Sequence, residues 1–252
     1  SDSGVCAISS TGIILARTNF ATGELPLGAH NALPTNVIVS MGQGGTNLPT
    51  LNLNGFNQTI AGLVNAVAPG TITVTNTSGT LSTLTIDNPA ARTYAGVIAG
   101  NLAIVKTGVG TQTFSGTAAN SYSGLTTVQD GMLDLSKNAG VNAVGGNVQV
   151  EGGTLRWLQA NQIADGATLT QSGGTVSFNS QSETIANYTK TNGATSTGGG
   201  GAVMSICGVV NVSGGSQFDV KSPSTVAAAT MRHSGGAFVL DSAPRADRAS
   251  DR

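Results

Sequence analysis

Gly110-Thr111-Gln112-Thr113-Phe114, Gly131-Met132-Leu133-Asp134-Leu135, Gly153-Thr154-Leu155-Arg156-Trp157 and Gly174-Thr175-Val176-Ser177-Phe178 are four copies of one pattern, repeated at a near-constant step. Each is a glycine followed by mostly apolar residues at every second position. The pattern returns as Gly215-Ser216-Gln217-Phe218-Asp219-Val220 after a gap close to twice the step, and one step later at Gly236-Ala237-Phe238-Val239-Leu240. Upstream, Gly23 and Gly45 stand one step apart, and the interval from Gly45 to Gly110 interrupts the register. Alternation of period two places residues two and four after the glycine on one face of a strand. A constant step of about 21 residues is what one coil of a solenoid requires: three short strands and their turns. Glycine at the strand entrance permits a positive φ and a tight corner. A meander or sandwich also alternates but needs no fixed period. The sequence predicts an all-β fold, a right-handed parallel β-helix of about 12 coils of about 21 residues, roughly 55 to 60 Å long.

Composition agrees. Charged residues make up 9% of the 252, aromatics 4%, and there are 36 glycines. A chain this poor in Lys, Glu and aromatics cannot build helices with charged outer faces, whereas abundant Val, Ile, Leu and Thr with a net charge of −1 argue against disorder. Near-neutral charge excludes nucleic acid as a partner, because phosphate binding needs a basic footprint. The most apolar stretch, Ala202 to Val212, is too short to span a bilayer. With no initiator Met and no signal peptide, the chain reads as a mature or excised portion. The expected organisation is a single β-helix domain over 1–242 followed by a polar tail, 243–252.

A longer repeat overlies the short one. Leu51-Asn-Leu-Asn-Gly-Phe-Asn-Gln-Thr-Ile-Ala61 resembles Val176-Ser-Phe-Asn-Ser-Gln-Ser-Glu-Thr-Ile-Ala186 at an offset of 125, which suggests a duplicated multi-coil module, roughly 20–140 and 131–242. The run from Asn101-Leu102 through Lys106, Gly108, Gly110, Gly116, Asn120, Tyr122, Gly124, Thr127 and Gly131 to Leu133 resembles the autotransporter-associated β-strand repeat. Leu25–Leu33 and Leu51–Leu63 resemble sequence that accompanies that repeat. Gln112, where the family pattern has Leu, and Leu125, where it commonly has Gly, depart from it. Gln112 would place an amide inside the tube, where it needs partners. The resemblance implies a passenger-type β-helix exported to the cell surface or beyond, on a bacterium.

Among possible sites, Asp130, Asp134 and Glu151 form a local acidic group with Arg156 near in sequence. Asp130 and Glu151 begin strands in successive coils, close enough for a glycosidase pair, whereas Asp134 should face solvent. A solvated face is the favoured reading, and no catalytic residue is assigned. His30 and His233 lack neighbours at metal-ligand spacing, so no metal or cofactor is expected. The glycine runs 42–45 and 198–201 lack the strand, helix and lysine of a phosphate loop. Trp157 has the parity of a core residue. Cys6 and Cys207 stand nine to ten coils apart, too far for a disulfide within one molecule; they are free or join neighbouring molecules.

Two functions remain open. One is a structural or adhesive surface protein that self-associates head to tail into fibres, because Ser1 to Ala16 reads as one more strand rather than a cap and an open edge invites pairing. Surface glycans or a host or neighbouring cell surface are its other expected partners. The alternative is a carbohydrate-active β-helix enzyme of lyase or glycosidase type, with a groove beside residues 65–100 or 187–205.

Overall fold

A computed structural model describes residues 23–43, 49–65, 72–198, 200–222 and 224–241, and residues 6–9 and 12–16 through their backbone. Those residues are strands and turns, with no helix among them. The strands form parallel ladders stacked as a β-solenoid. One long wall is a ten-stranded sheet running from Gln58–Ile60 through Ser82–Asp87, Leu102–Thr107, Thr126–Val128, Val148–Val150, Thr168–Gln171 and Asn187–Lys190 to the long strand Val203–Ser213, to which Glu183–Ile185 and Thr225–Ser234 also pair. The second is an eight-stranded sheet from Arg92–Tyr94 and Thr111–Gly116 to Gln217–Lys221 and Ala237–Asp241. A third side has a separate four-stranded sheet early on, at Glu24–Pro26, Thr50–Asn52, Thr73–Asn76 and Val97–Gly100.

The repeated pattern builds the second wall. Thr111 faces Met132, Met132 faces Thr154 and Thr154 faces Thr175, so successive copies of the pattern lie on successive coils. The coil hidden in the double-length gap is Ala194–Ser196, with Thr175 opposite Ala194 and Ala194 opposite Gln217. Leu133, Leu155 and Val176 stack in one inward column and Phe114, Leu135 and Trp157 in the next, all fully buried. Burial of each such side chain contributes about 1.5 to 3 kcal/mol. Trp157 is thus a core residue, its ring 4.5 Å from that of Phe178.

The glycines divide between two tasks. Gly131 and Gly174 take the expected positive φ of 57°. Gly153 does not; a Cβ there would lie 2.8 Å from the backbone of Asp130, so the constraint is close approach between coils.

The interrupted interval has longer coils rather than a break. Glu24 faces Thr50, Thr50 faces Thr73 and Thr73 faces Val97, and every one of these advances exceeds the step of the repeated pattern. The solenoid has about nine turns rather than 12, a stack of about 40 Å at roughly 4.8 Å per level. The amino-terminal stretch also differs from expectation. Cys6–Ser9 and Gly12–Ala16 form two strands, not one, and the outer runs antiparallel to its neighbour. The tail 243–252 lies outside the described residues.

Candidate functional site

The acidic group does not converge. Asp134 projects outward as its parity requires, yet it is only 4% exposed, because Arg156 on the next coil covers it. Both of its oxygens accept from that guanidinium, at 2.9 Å from Nε and 2.7 Å from Nη2. The expectation of a solvated Asp134 overlooked the register, which sets Asp134 directly opposite Arg156. Glu151 accepts from the amides of Gln129 and Gln149, and Asp130 from the Gly131 N–H. Each acid has its own partners, and Asp134 with Arg156 is the pair brought together.

The charges that the fold does enclose were not singled out in the sequence. Lys106, Lys137 and Lys190 are fully buried. The Lys106 ammonium donates to the carbonyls of Thr107, Gly108 and Asp130, closing the turn between the two long walls. Lys190 does the same with Asn192 and Gly193, and Lys137 donates to Gly96 and Ser115. Burial pushes all three down to about 8. Lys106 is the lysine of the repeat pattern, so that position has a mechanical explanation: it holds orphan carbonyls at a corner. Glu183 is a buried counterpart. Its carboxylate accepts from the Trp157 indole at 2.5 Å and from the N–H groups of Gln162, Ile163 and Thr184. Burial pushes the Glu183 carboxyl up to about 7 against the pull of those four donors. These groups have no access to a ligand; they hold coils together.

The remaining candidates stay apart. His30 stacks edge-on against Phe56, and its Nδ1 accepts from the Asn57 N–H; His233 is exposed on Thr225–Ser234. Among the described residues no three His, Cys, Asp or Glu side chains are grouped to hold a metal. Cys207 is a free, exposed thiol beside the register shift between Ile206 and Val209. The Cys6 side chain lies outside the described residues. An open groove near the longer coils is lined by Asn36, Thr59, Asp87 and Val109 among others, and Asp87 is the one carboxylate lining it.

The two long walls present different outer surfaces. On the eight-stranded wall, one outward column passes from Thr113 through Asp134 and Arg156 to Ser177, Ser196 and Asp219. On the ten-stranded wall, the central outward column runs Thr59, Thr85, Val105, Thr127, Gln149, Thr170, Thr189 and Asn211 and ends at the exposed Arg232.

Comparison with known proteins agrees with this geometry. The Passenger-associated-transport-repeat family matches residues 104–135, a stretch that holds Lys106 and Gln112 on one coil and Leu133 on the next. The chain is similar to the adhesin BmaC autotransporter of Brucella suis biovar 1 (strain 1330), 34% identical over 140 residues, which cover 49% of this chain and 4% of that protein. The chain thus spans a small fraction of that relative's length. No solved structure matches. Residues 104–135, within the β-solenoid, are thus similar to a passenger-associated transport repeat.

Proposed function

We propose that this β-solenoid is exported and displayed at a bacterial cell surface as a structural and adhesive scaffold. What carries the reading is the passenger repeat itself: residues 104–135 match a passenger family, and the ladder they belong to continues along the eight-stranded wall from Arg92 to Asp241. Its buried charges serve the coils, and the acids of the sequence candidate group are each occupied by separate neighbours. A carbohydrate-active enzyme would need converging acids, and the groove beside Asp87 supplies one. The expected partners are host or neighbouring cell surfaces and their glycans, in keeping with a relative named as an adhesin.

Self-association belongs to the same proposal. End-to-end assembly into fibres would start from the strands Thr225–Ser234 and Ala237–Asp241. At the other end of the stack, the antiparallel Cys6–Ser9 strand is a poorer acceptor for a parallel coil. The exposed Cys207 thiol is available for a covalent link between molecules, with Cys6 as the other candidate. Dimer bands on non-reducing gels that vanish with reductant would support that link. The display proposal is tested by protease shaving of intact cells that express the protein. The chain should be released or cut within minutes while cytoplasmic markers survive; protection in intact cells and cleavage only after lysis would overturn it.

A further inference from the structure

We propose that Asn192–Gly193 is a self-modifying site, at which the Gly193 backbone nitrogen attacks the Asn192 side-chain amide, expels ammonia and leaves an aspartate or isoaspartate. This chemistry does not depend on where the chain is displayed. The sequence holds two Asn-Gly pairs, Asn54–Gly55 and Asn192–Gly193, and asparagine is chemically labile. Both asparagines are exposed, so access does not separate them. Their hydrogen bonds do. The Asn54 amide donates to the Leu27 carbonyl, and the Gly55 N–H donates to Asn76 Oδ1 at 2.9 Å. Electrophile and nucleophile are thus each tied to a different coil. At the second pair the Gly193 N–H donates to Asn192 Oδ1 itself, at 2.8 Å. The nitrogen already lies against the amide group whose carbon it must reach, one bond beyond that oxygen.

Lys190 supplies the activation. Its ammonium donates to the carbonyl oxygens of Asn192 and Gly193, and the first of these belongs to the peptide whose nitrogen attacks. Negative charge that forms on that nitrogen as its proton leaves is shared with the same oxygen, so a cation held against it stabilises the reacting form. The steps balance with water alone. The Gly193 N–H gives its proton to water or hydroxide, the N–Cγ bond forms, the Cγ–Nδ2 bond breaks and ammonia leaves, giving a five-membered succinimide. Water then opens the ring at either carbonyl, to aspartate or to isoaspartate, and the chain gains one negative charge. The aspartate product has a precedent in the fold. Met132 and Ala194 share one column, three coils apart. Asp130 therefore holds the same corner as Asn192, and the Gly131 N–H donates to its Oδ1 at 2.7 Å. Isoaspartate instead carries the backbone through one more carbon, at a corner where Lys190 holds two carbonyls.

Peptide mapping by mass spectrometry of the whole folded chain, incubated in mildly alkaline buffer and digested at acid pH, tests the inference. The Asn192 peptide should exchange NH for O about tenfold or more faster than the Asn54 peptide, whose pair must first break bonds to two coils. Both aspartate and isoaspartate forms should appear. In urea, where both pairs lose their partners, the two rates should converge. Asn192→Gln, which would have to close a larger ring, should remove the signal at this corner. Lys190→Gln should slow conversion at Asn192 while Asn54 stays slow, and a rise at Asn54 would report a variant that has lost its fold. An Asn192 amide that outlasts Asn54, or equal rates at the two pairs in the folded chain, overturns the inference. An undiminished rate in Lys190→Gln, with Asn54 still slow, overturns the part given to Lys190.

Discussion

The long walls and the third side of this tube solve one problem in different ways. Along the walls, backbone N–H and C=O groups pair with the next coil in continuous parallel ladders. On the third side, regular strands cease after Val97–Gly100; between there and Glu183–Ile185 the coils share the isolated bridge Val144–Ile163. Some backbone bonds between coils persist there, such as Ser121 N–H to Ile98 and Ala143 N–H to Gln162, and buried side chains supply others. The Ile98 N–H donates to Asn120, the Lys137 N–H to Gln162, and the Gln162 N–H to Glu183. Asn120, Gln162 and Glu183 are all at most 2% exposed. Backbone polar groups removed from water must find partners, and where coil geometry withholds a strand, a buried amide or carboxylate serves. The walls tolerate change as any ladder of apolar residues does, whereas each plug is unique.

The sharpest way to break that contrast is Glu183→Leu. It strands the Trp157 indole N–H and three backbone N–H groups, and should cost about 4 kcal/mol in urea unfolding. Glu183→Gln, which keeps an acceptor, should cost less. The pair also has a pH signature. Burial raises the folded carboxyl to about 7 from 4.5, so between those values the folded chain binds the extra proton. The stability this group adds is fully present below 4.5 and is lost as pH rises through about 7. Urea midpoints measured from pH 4 to 8 should show that fall in the parent, and Glu183→Gln should flatten it. A parent curve rising across this window would mean that the four donors outweigh burial.

The walls were legible in the sequence and the plugs were not, for the same physical reason. A ladder repeats, so Leu133, Leu155 and Val176 announce themselves by period and parity. A plug occurs once, and its residues are those ordinarily found on surfaces. Nothing in the spelling of Glu183 or Lys137 separates them from solvated Glu151. Lys106 had a signal, its place in the repeat pattern, but a pattern does not state that the ammonium turns inward onto carbonyls. Dividing the whole chain length by the period overestimates the number of coils, and the lengthened coils between Glu24 and Val97 account for a small part of the difference. The covering of Asp134 followed from register, which pairs it with Arg156, whereas parity alone reports only which face a side chain takes.

Gln112 tests the contrast at the junction of the two solutions. It occupies a wall column between Arg92 and Leu133, where the repeat pattern has Leu, yet it behaves as a plug. Its amide donates to the Leu63 carbonyl at 3.0 Å and accepts from the Leu63 N–H at 3.3 Å, joining strands that no backbone ladder connects. Gln112→Leu brings the chain closer to the pattern and should nonetheless destabilise it by about 2 kcal/mol, because both Leu63 groups lose their partner. Equal or greater stability would show that apolar burial outweighs the two bonds and that the column is an ordinary wall position.

The smallest effect is expected on the outside. Asp134 and Arg156 make two good hydrogen bonds, but the arginine side chain is 37% exposed, so solvent screens the pair. Asp134→Asn should therefore cost no more than about 1 kcal/mol, with the difference shrinking in high salt. A loss as large as that for Glu183→Leu would place Asp134 among the groups that hold the coils together. A small loss has a consequence for function. If even a bidentate pair contributes little to stability, outward columns on both walls can change residue by residue at little cost to the fold. The inner columns then fix the rod, and the outer ones are free to determine what it adheres to.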